Sequence, residues 1–98
     1  MKVRYTATAG REFDQAVDYL RQHAPQVAPA FADSIERAIA ELVENPRSAQ
    51  ETELAGVRRK YVRRFRYALF YSIDRDTDEL LILNIQHAAR RWPWQTSQ

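Results

Sequence analysis

The 98-residue sequence has no cysteine, two glycines and one methionine. Without thiols there are no disulfides, no thiolate metal sites and no cysteine nucleophile. With only Gly10 and Gly56, no glycine-rich loop is available to cradle a phosphate. No apolar run approaches the roughly 18 residues of a membrane helix. The opening MKVRYTATAG lacks the apolar stretch of a secretory signal, so a cytoplasmic protein without a membrane partner is expected. His23 and His87 are isolated and make no case for a metal, and no cofactor motif is present. DRDTDE imitates the start of a calcium loop, but Glu79 stands where that loop needs glycine and Ile85 where it needs a bidentate acid. It reads as a turn.

What the chain does contain is ordinary in amount and uneven in placement. Hydrophobic residues make up 45% and charged residues 29%, the balance of a soluble globular protein with one modest core. A single domain over residues 1–98 is expected. The net charge of +2 hides an asymmetry. Residues 1–55 carry 6 Lys/Arg against 9 Asp/Glu, whereas residues 56–98 carry 9 against 4. A basic half of this kind suggests a nucleic acid or an acidic protein segment as partner.

Hydrophobic periodicity gives the elements. Val3 and Tyr5 alternate with Lys2, Arg4 and Thr6, which predicts a short strand. Phe13, Ala16, Val17 and Leu20 then recur at helical spacing, with Glu12 and Asp14 expected near the helix N-terminus and Pro25 as the stop. Phe31, Ile35, Ala38, Ile39 and Leu42 predict a second helix, ended by Asn45-Pro46. Pro46 to Gly56 reads as a polar loop. Beyond it the period is two: Phe65, Tyr67, Leu69, Tyr71 and Ile73 on one face, Arg66, Ala68, Phe70 and Ser72 on the other. After the Asp-rich turn, ELLILNIQH alternates Leu81, Leu83, Ile85 and His87 with Leu80, Ile82, Asn84 and Gln86, and its first half is apolar on both faces as in a central strand. The order βααβββ predicts an α+β fold with two helices on one face of a largely antiparallel sheet.

Two constellations carry possible chemistry. VRRKYVRRFRYALFY threads Arg58, Arg59, Lys60, Arg63, Arg64 and Arg66 through a hairpin. Those cations suit phosphates or an acidic peptide, and equally suit a solvated sheet face or a guarded edge. HAARRWPW places His87, Arg90, Arg91, Trp92 and Trp94 at the end of the last strand. A histidine among arginines and aromatics fits acid/base work on RNA, with arginine on the phosphate and tryptophan on a base. A locally hydrogen-bonded histidine and packed tryptophans fit as well.

EFDQAVDYL, AFADSIERAIAELVENP, GVRRKYVRRFRYALFYSID and LLILNIQHAARRWPW, in this order, resemble the RelE/ParE superfamily of bacterial toxins from type II toxin–antitoxin modules. The resemblance covers nearly the whole chain and implies two antiparallel helices on a twisted antiparallel sheet. It also implies a cognate antitoxin protein whose C-terminal segment wraps the toxin. RelE-like members cleave mRNA on the ribosome with Arg, Lys, His or Tyr side chains of the concave sheet face. ParE-like members, the plasmid-stabilisation type, inhibit DNA gyrase and have largely lost those side chains.

The sequence departs from the RNase pattern at one informative place. RelE-like toxins carry an arginine before the triplet that here is Leu69-Phe70-Tyr71, and this chain has Ala68. Where those toxins have a C-terminal catalytic tyrosine, Trp92 and Trp94 stand instead, without a phenol. The resemblance therefore implies a ParE-like gyrase inhibitor, with Arg58, Arg59, Lys60, Arg64, Arg66, Arg90, Arg91 and Trp94 as the antitoxin- or target-binding set. The alternative it implies is a ribosome-dependent mRNA endoribonuclease using His87, Arg90 and Arg91.

Overall fold

The first turn from strand to helix is made by Thr6. Its hydroxyl accepts the Ala9 amide at 3.0 Å and donates to the Leu83 carbonyl at 3.0 Å, capping a helix and tying it to a strand far along the chain. The computed structural model describes residues 1–89. Strand β1 (Lys2–Tyr5) precedes Thr6, and helix α1 (Ala7–His23) follows it. Because α1 starts at Ala7, Glu12 and Asp14 lie beyond its first turn, where the helix dipole has little hold on them. This corrects the expected dipole role, and Glu12 has a different one.

Helix α2 (Ala28–Glu44) begins with Pro29 in its first turn, where a missing N–H does no harm. Phe31, Ile35, Ala38, Ile39 and Leu42 are all buried, the stripe that the spacing predicted. Each of the larger ones contributes about 1.5–3 kcal/mol by leaving water. Phe31 meets Phe65 and Tyr67 edge-on at 5.4 and 4.9 Å between ring centroids, locking α2 onto the sheet.

Among the described residues the sheet has five strands, where the sequence predicted four. A two-residue strand β2 (Gln50–Glu51) lies inside the expected loop and pairs with β3 (Arg58–Val62). β4 (Tyr67–Asp74) and β5 (Glu79–His87) follow, and the order across the sheet is β1-β5-β4-β3-β2. β1 runs parallel to β5, and all other pairs are antiparallel. The α+β architecture, with both helices on one face, is the one the sequence predicted.

Two departures from simple alternation shape the sheet. Phe70 pairs with Asn84 and Tyr71 with Ile82, so Leu83 is an extra residue in a bulge. As a result Leu80, Ile82 and Ile85 enter the same helix-facing core, and Leu83 joins Val57, Ala68 and Phe70 on the opposite face. Strict alternation put Ile82 and Ile85 on opposite faces. The hairpin between β3 and β4 also breaks its ladder: Arg63–Phe65 form one 3-10 turn, and Arg66 takes a left-handed conformation with φ 57°. Phe65 thereby leaves the strand series but still packs on the core. The Asp-rich segment is the expected turn, with Asp74 Oδ1 accepting the Asp76 amide at 3.0 Å.

Candidate functional site

Strand register divides the basic hairpin. Arg58 lies opposite Tyr71 and Lys60 opposite Leu69, on the helix side of the sheet, whereas Arg59 lies opposite Phe70 and Tyr61 opposite Ala68. Arg58 turns inward: its guanidinium donates to the Ala49 carbonyl at 2.8 Å and to the Arg47 carbonyl at 3.2 Å, and lies 3.9 Å from Glu51. It fastens β2 and the preceding loop to β3. Lys60 reaches Glu41 of α2 at 2.8 Å, and this hydrogen bond and charge hold the Glu41 carboxyl below the usual carboxylate range. Arg59 lies 5.9 Å from the Tyr61 ring centre. At the turn, Arg64 covers Phe65 at 5.1 Å, and Arg63, Arg64 and Arg66 are exposed.

The far face of the sheet is apolar at its centre. Ala68 is paired with Tyr61 on one side and Gln86 on the other. Ala68 and Phe70 are fully buried there beside Val57 and the half-buried Leu83. A methyl group at this position offers neither charge nor hydrogen bond to a phosphate.

His87 is exposed at the end of β5, opposite Tyr67. The two rings meet edge to face, 5.5 Å between centroids. His87 Nδ1 accepts the Ala89 amide at 3.2 Å, so the neutral imidazole carries its proton on Nε2. The Ala88 amide donates to the Arg66 carbonyl at 2.6 Å, which fixes the end of β5 against the hairpin turn. The fold thus gathers Arg66, Tyr67 and His87 at one end of the sheet, and leaves Arg58 near the other end of β3 in a structural part. Arg90, Arg91, Trp92 and Trp94 lie outside the described residues. Tyr67 was not among the residues the sequence singled out. The signal for it was its place in the period-two series that ends at the hairpin, but pairing with His87 needed the register.

Comparison with known proteins gives the family. The family model for the ParE toxin of the type II toxin–antitoxin system parDE matches residues 3–92. Among solved structures, the fold is similar to that in a chromosomal ParDE system from P. aeruginosa, with TM-score 0.76 and 22% identity over 89% of this chain and 95% of that one. It is also similar to the isolated E. coli RelE toxin, with TM-score 0.66 and 14% identity over 98% and 93% of the two chains. The toxin–antitoxin complex RelBE2 from Mycobacterium tuberculosis matches with TM-score 0.56 and 29% identity over 88% and 95%. No curated protein matches the sequence. With a family match over nearly its whole length, the chain belongs to the ParE toxins of type II toxin–antitoxin systems.

Proposed function

We propose that this toxin acts in the cytoplasm by binding and inhibiting DNA gyrase, without catalysing a reaction of its own, and that a cognate antitoxin neutralises it. The observation that carries the reading is Ala68, at the centre of an apolar sheet face where an RNase would place a cation. Cleaving a phosphodiester takes a base, an acid and a charge on the phosphate. Ala68, Phe70, Val57 and Leu83 supply none of these. The antitoxin is supported by the ParDE and RelBE2 structures, which are toxin–antitoxin assemblies. The exposed Arg64 and Arg66 favour a contact with antitoxin or target at the hairpin turn.

The second reading, a ribosome-dependent mRNA endoribonuclease, draws on His87 and Tyr67, an acid/base-capable pair beside the Arg66 turn. Pulse-labelling after induction in bacteria without the antitoxin separates the two. Inhibition of gyrase is expected to stop DNA synthesis before protein synthesis, and His87→Ala is expected to leave that order intact. Protein synthesis falling first, with the effect lost in His87→Ala, would give the endoribonuclease reading.

A further inference from the structure

We propose that a recess between β2, the start of β3 and the end of β4 binds a doubly charged phosphate group, free or as a monoester. The recess has a volume of about 260 Å³ and is lined by Arg47, Glu51, Gly56, Arg58 and Arg75, among others. Its arginines come from three separate parts of the chain: the segment after α2, strand β3, and the turn between β4 and β5. The site lies at the other end of β3 from the exposed Arg64 and Arg66, and it stands whichever target the toxin has. Arg58 is held in position for this role. Its Nη1 donates to the Arg47 and Ala49 carbonyls, which fixes the plane of the guanidinium. Among the described residues its Nε and Nη2 form no hydrogen bond, and the Glu51 carboxylate stays 3.9 Å from Nη2. The Glu51 side chain is 81% exposed, so an incoming anion can displace it.

Arg47 and Arg75 are exposed and form no ion pair among the described residues. The aspartates beside Arg75 do not line the recess, and Asp74 is occupied by the Asp76 and Thr77 amides. Three arginines against one glutamate leave the walls two charges positive. A carboxylate has two oxygens, which a single arginine fork already fills. A phosphate monoester brings a charge of about −1.5 to −2 at neutral pH and three strong acceptor oxygens. Three guanidinium forks match that charge and that number of oxygens. The volume falls below the roughly 300 Å³ at which ligand pockets usually begin. The phosphate therefore enters, and whatever carries it stays outside.

The test is a titration of the isotope-labelled full chain at constant ionic strength, followed by NMR at the Gly56 and Arg75 backbone amides. The probes are inorganic phosphate, adenosine 5′-monophosphate, dimethyl phosphate and N-acetyl-glutamate methylamide. Saturable shifts are expected with the first two, and much weaker ones with the singly charged diester and carboxylate. Tighter binding of the nucleotide than of inorganic phosphate points to a nucleotide or a nucleic-acid 5′ end as the source; equal binding points to free phosphate. Arg47→Ala and Arg75→Ala, at exposed positions safe for folding, should each weaken phosphate about three- to fivefold, the range of an ion pair near the surface. Glu51→Gln removes the competing charge and should tighten binding by a similar factor. Arg11→Ala, an exposed cation on α1 with the same change of net charge, should leave it unaltered. Equal losses in Arg11→Ala and Arg75→Ala, or equal shifts at the Arg66 amide, show diffuse attraction to a basic chain and overturn the proposal. Binding of the carboxylate or the diester as tight as that of phosphate overturns it too.

Discussion

The Tyr71 hydroxyl donates to the Pro46 carbonyl at 2.6 Å, joining the centre of β4 to the chain just past the end of α2. Tyr71 is completely buried, so this polar contact helps to anchor the largest of the fully buried side chains. Tyr71→Phe keeps the ring and strands the carbonyl. It is expected to lower stability by about 1–2 kcal/mol, read from urea unfolding at neutral pH.

The same side chain gives a pH dependence. Burial pushes the Tyr71 phenol above its ordinary value of 10.0, against smaller opposing effects of the Arg58 charge and a hydrogen bond with the Ala49 backbone. The unfolded chain therefore ionises first. The stability that Tyr71 contributes is complete below pH 10 and is lost as pH rises through the folded value. Wild type should lose stability more steeply than Tyr71→Phe above pH 10, and parallel curves there would show that the phenol does not govern alkaline unfolding.

Glu12 performs the work of a missing strand. Its carboxylate accepts the Ile85 amide where β1 no longer reaches, and orients Gln86 through the second oxygen. Glu12→Ala removes the acceptor of the Ile85 amide, of Gln86 Nε2 and, at 3.4 Å, of Asn84 Nδ2, in a half-buried place. A loss of about 3–6 kcal/mol is expected, set by the two shorter hydrogen bonds to a charged acceptor at about 1.5–3 kcal/mol each. Asp14→Ala, at an exposed position on the same helix, should change stability by less than about 0.5 kcal/mol. Thermal unfolding of both variants checks the difference.

The two kinds of hairpin arginine should separate in the same way. Arg58→Ala removes donors from the Ala49 and Arg47 carbonyls and frees β2, for an expected loss of about 1–3 kcal/mol. Arg64→Ala, at the exposed turn, should stay within about 0.5 kcal/mol of wild type. If Arg58→Ala abolishes growth arrest, the folded fraction must be measured before a contact is inferred. Loss of growth arrest in a fully folded Arg64→Ala places the turn at the interface directly.

What the sequence disclosed follows from how local each signal is. The buried stripe of α2 and the partly buried stripe of α1 repeat within a few residues, so period alone located Phe31, Ile35 and Leu42. The bulge at Leu83 was hidden because Leu80 to Leu83 is apolar at every position, and no polar residue marks a face. β2 was hidden for another reason: Gln50 and Glu51 have little strand preference of their own and are extended because β3 pairs with them. Likewise, a run of cations reads as one surface until register places Arg58 and Lys60 towards the helices and Arg59 on the far face. Glu12 and Gln86 lie more than 70 residues apart and meet only through the fold.

Arg66 offers the clearest way to part conformation from charge. Its backbone is left-handed at φ 57° and its carbonyl accepts the Ala88 amide at 2.6 Å, which brings the end of β5 to the turn. An L residue in this region is strained by about 1–2 kcal/mol, and glycine is not, though glycine has about 0.5–1 kcal/mol more chain entropy to lose on folding. Arg66→Gly is therefore expected to be as stable as wild type or slightly more stable, while Arg66→Ala should gain nothing. Both variants lose the guanidinium. Growth arrest that is weakened equally in the two, with Arg66→Gly fully folded by circular dichroism, assigns the effect to the charge. Growth arrest that survives in Arg66→Gly shows that the position is kept for its turn, and the search for the interface then moves to Arg63 and Arg64.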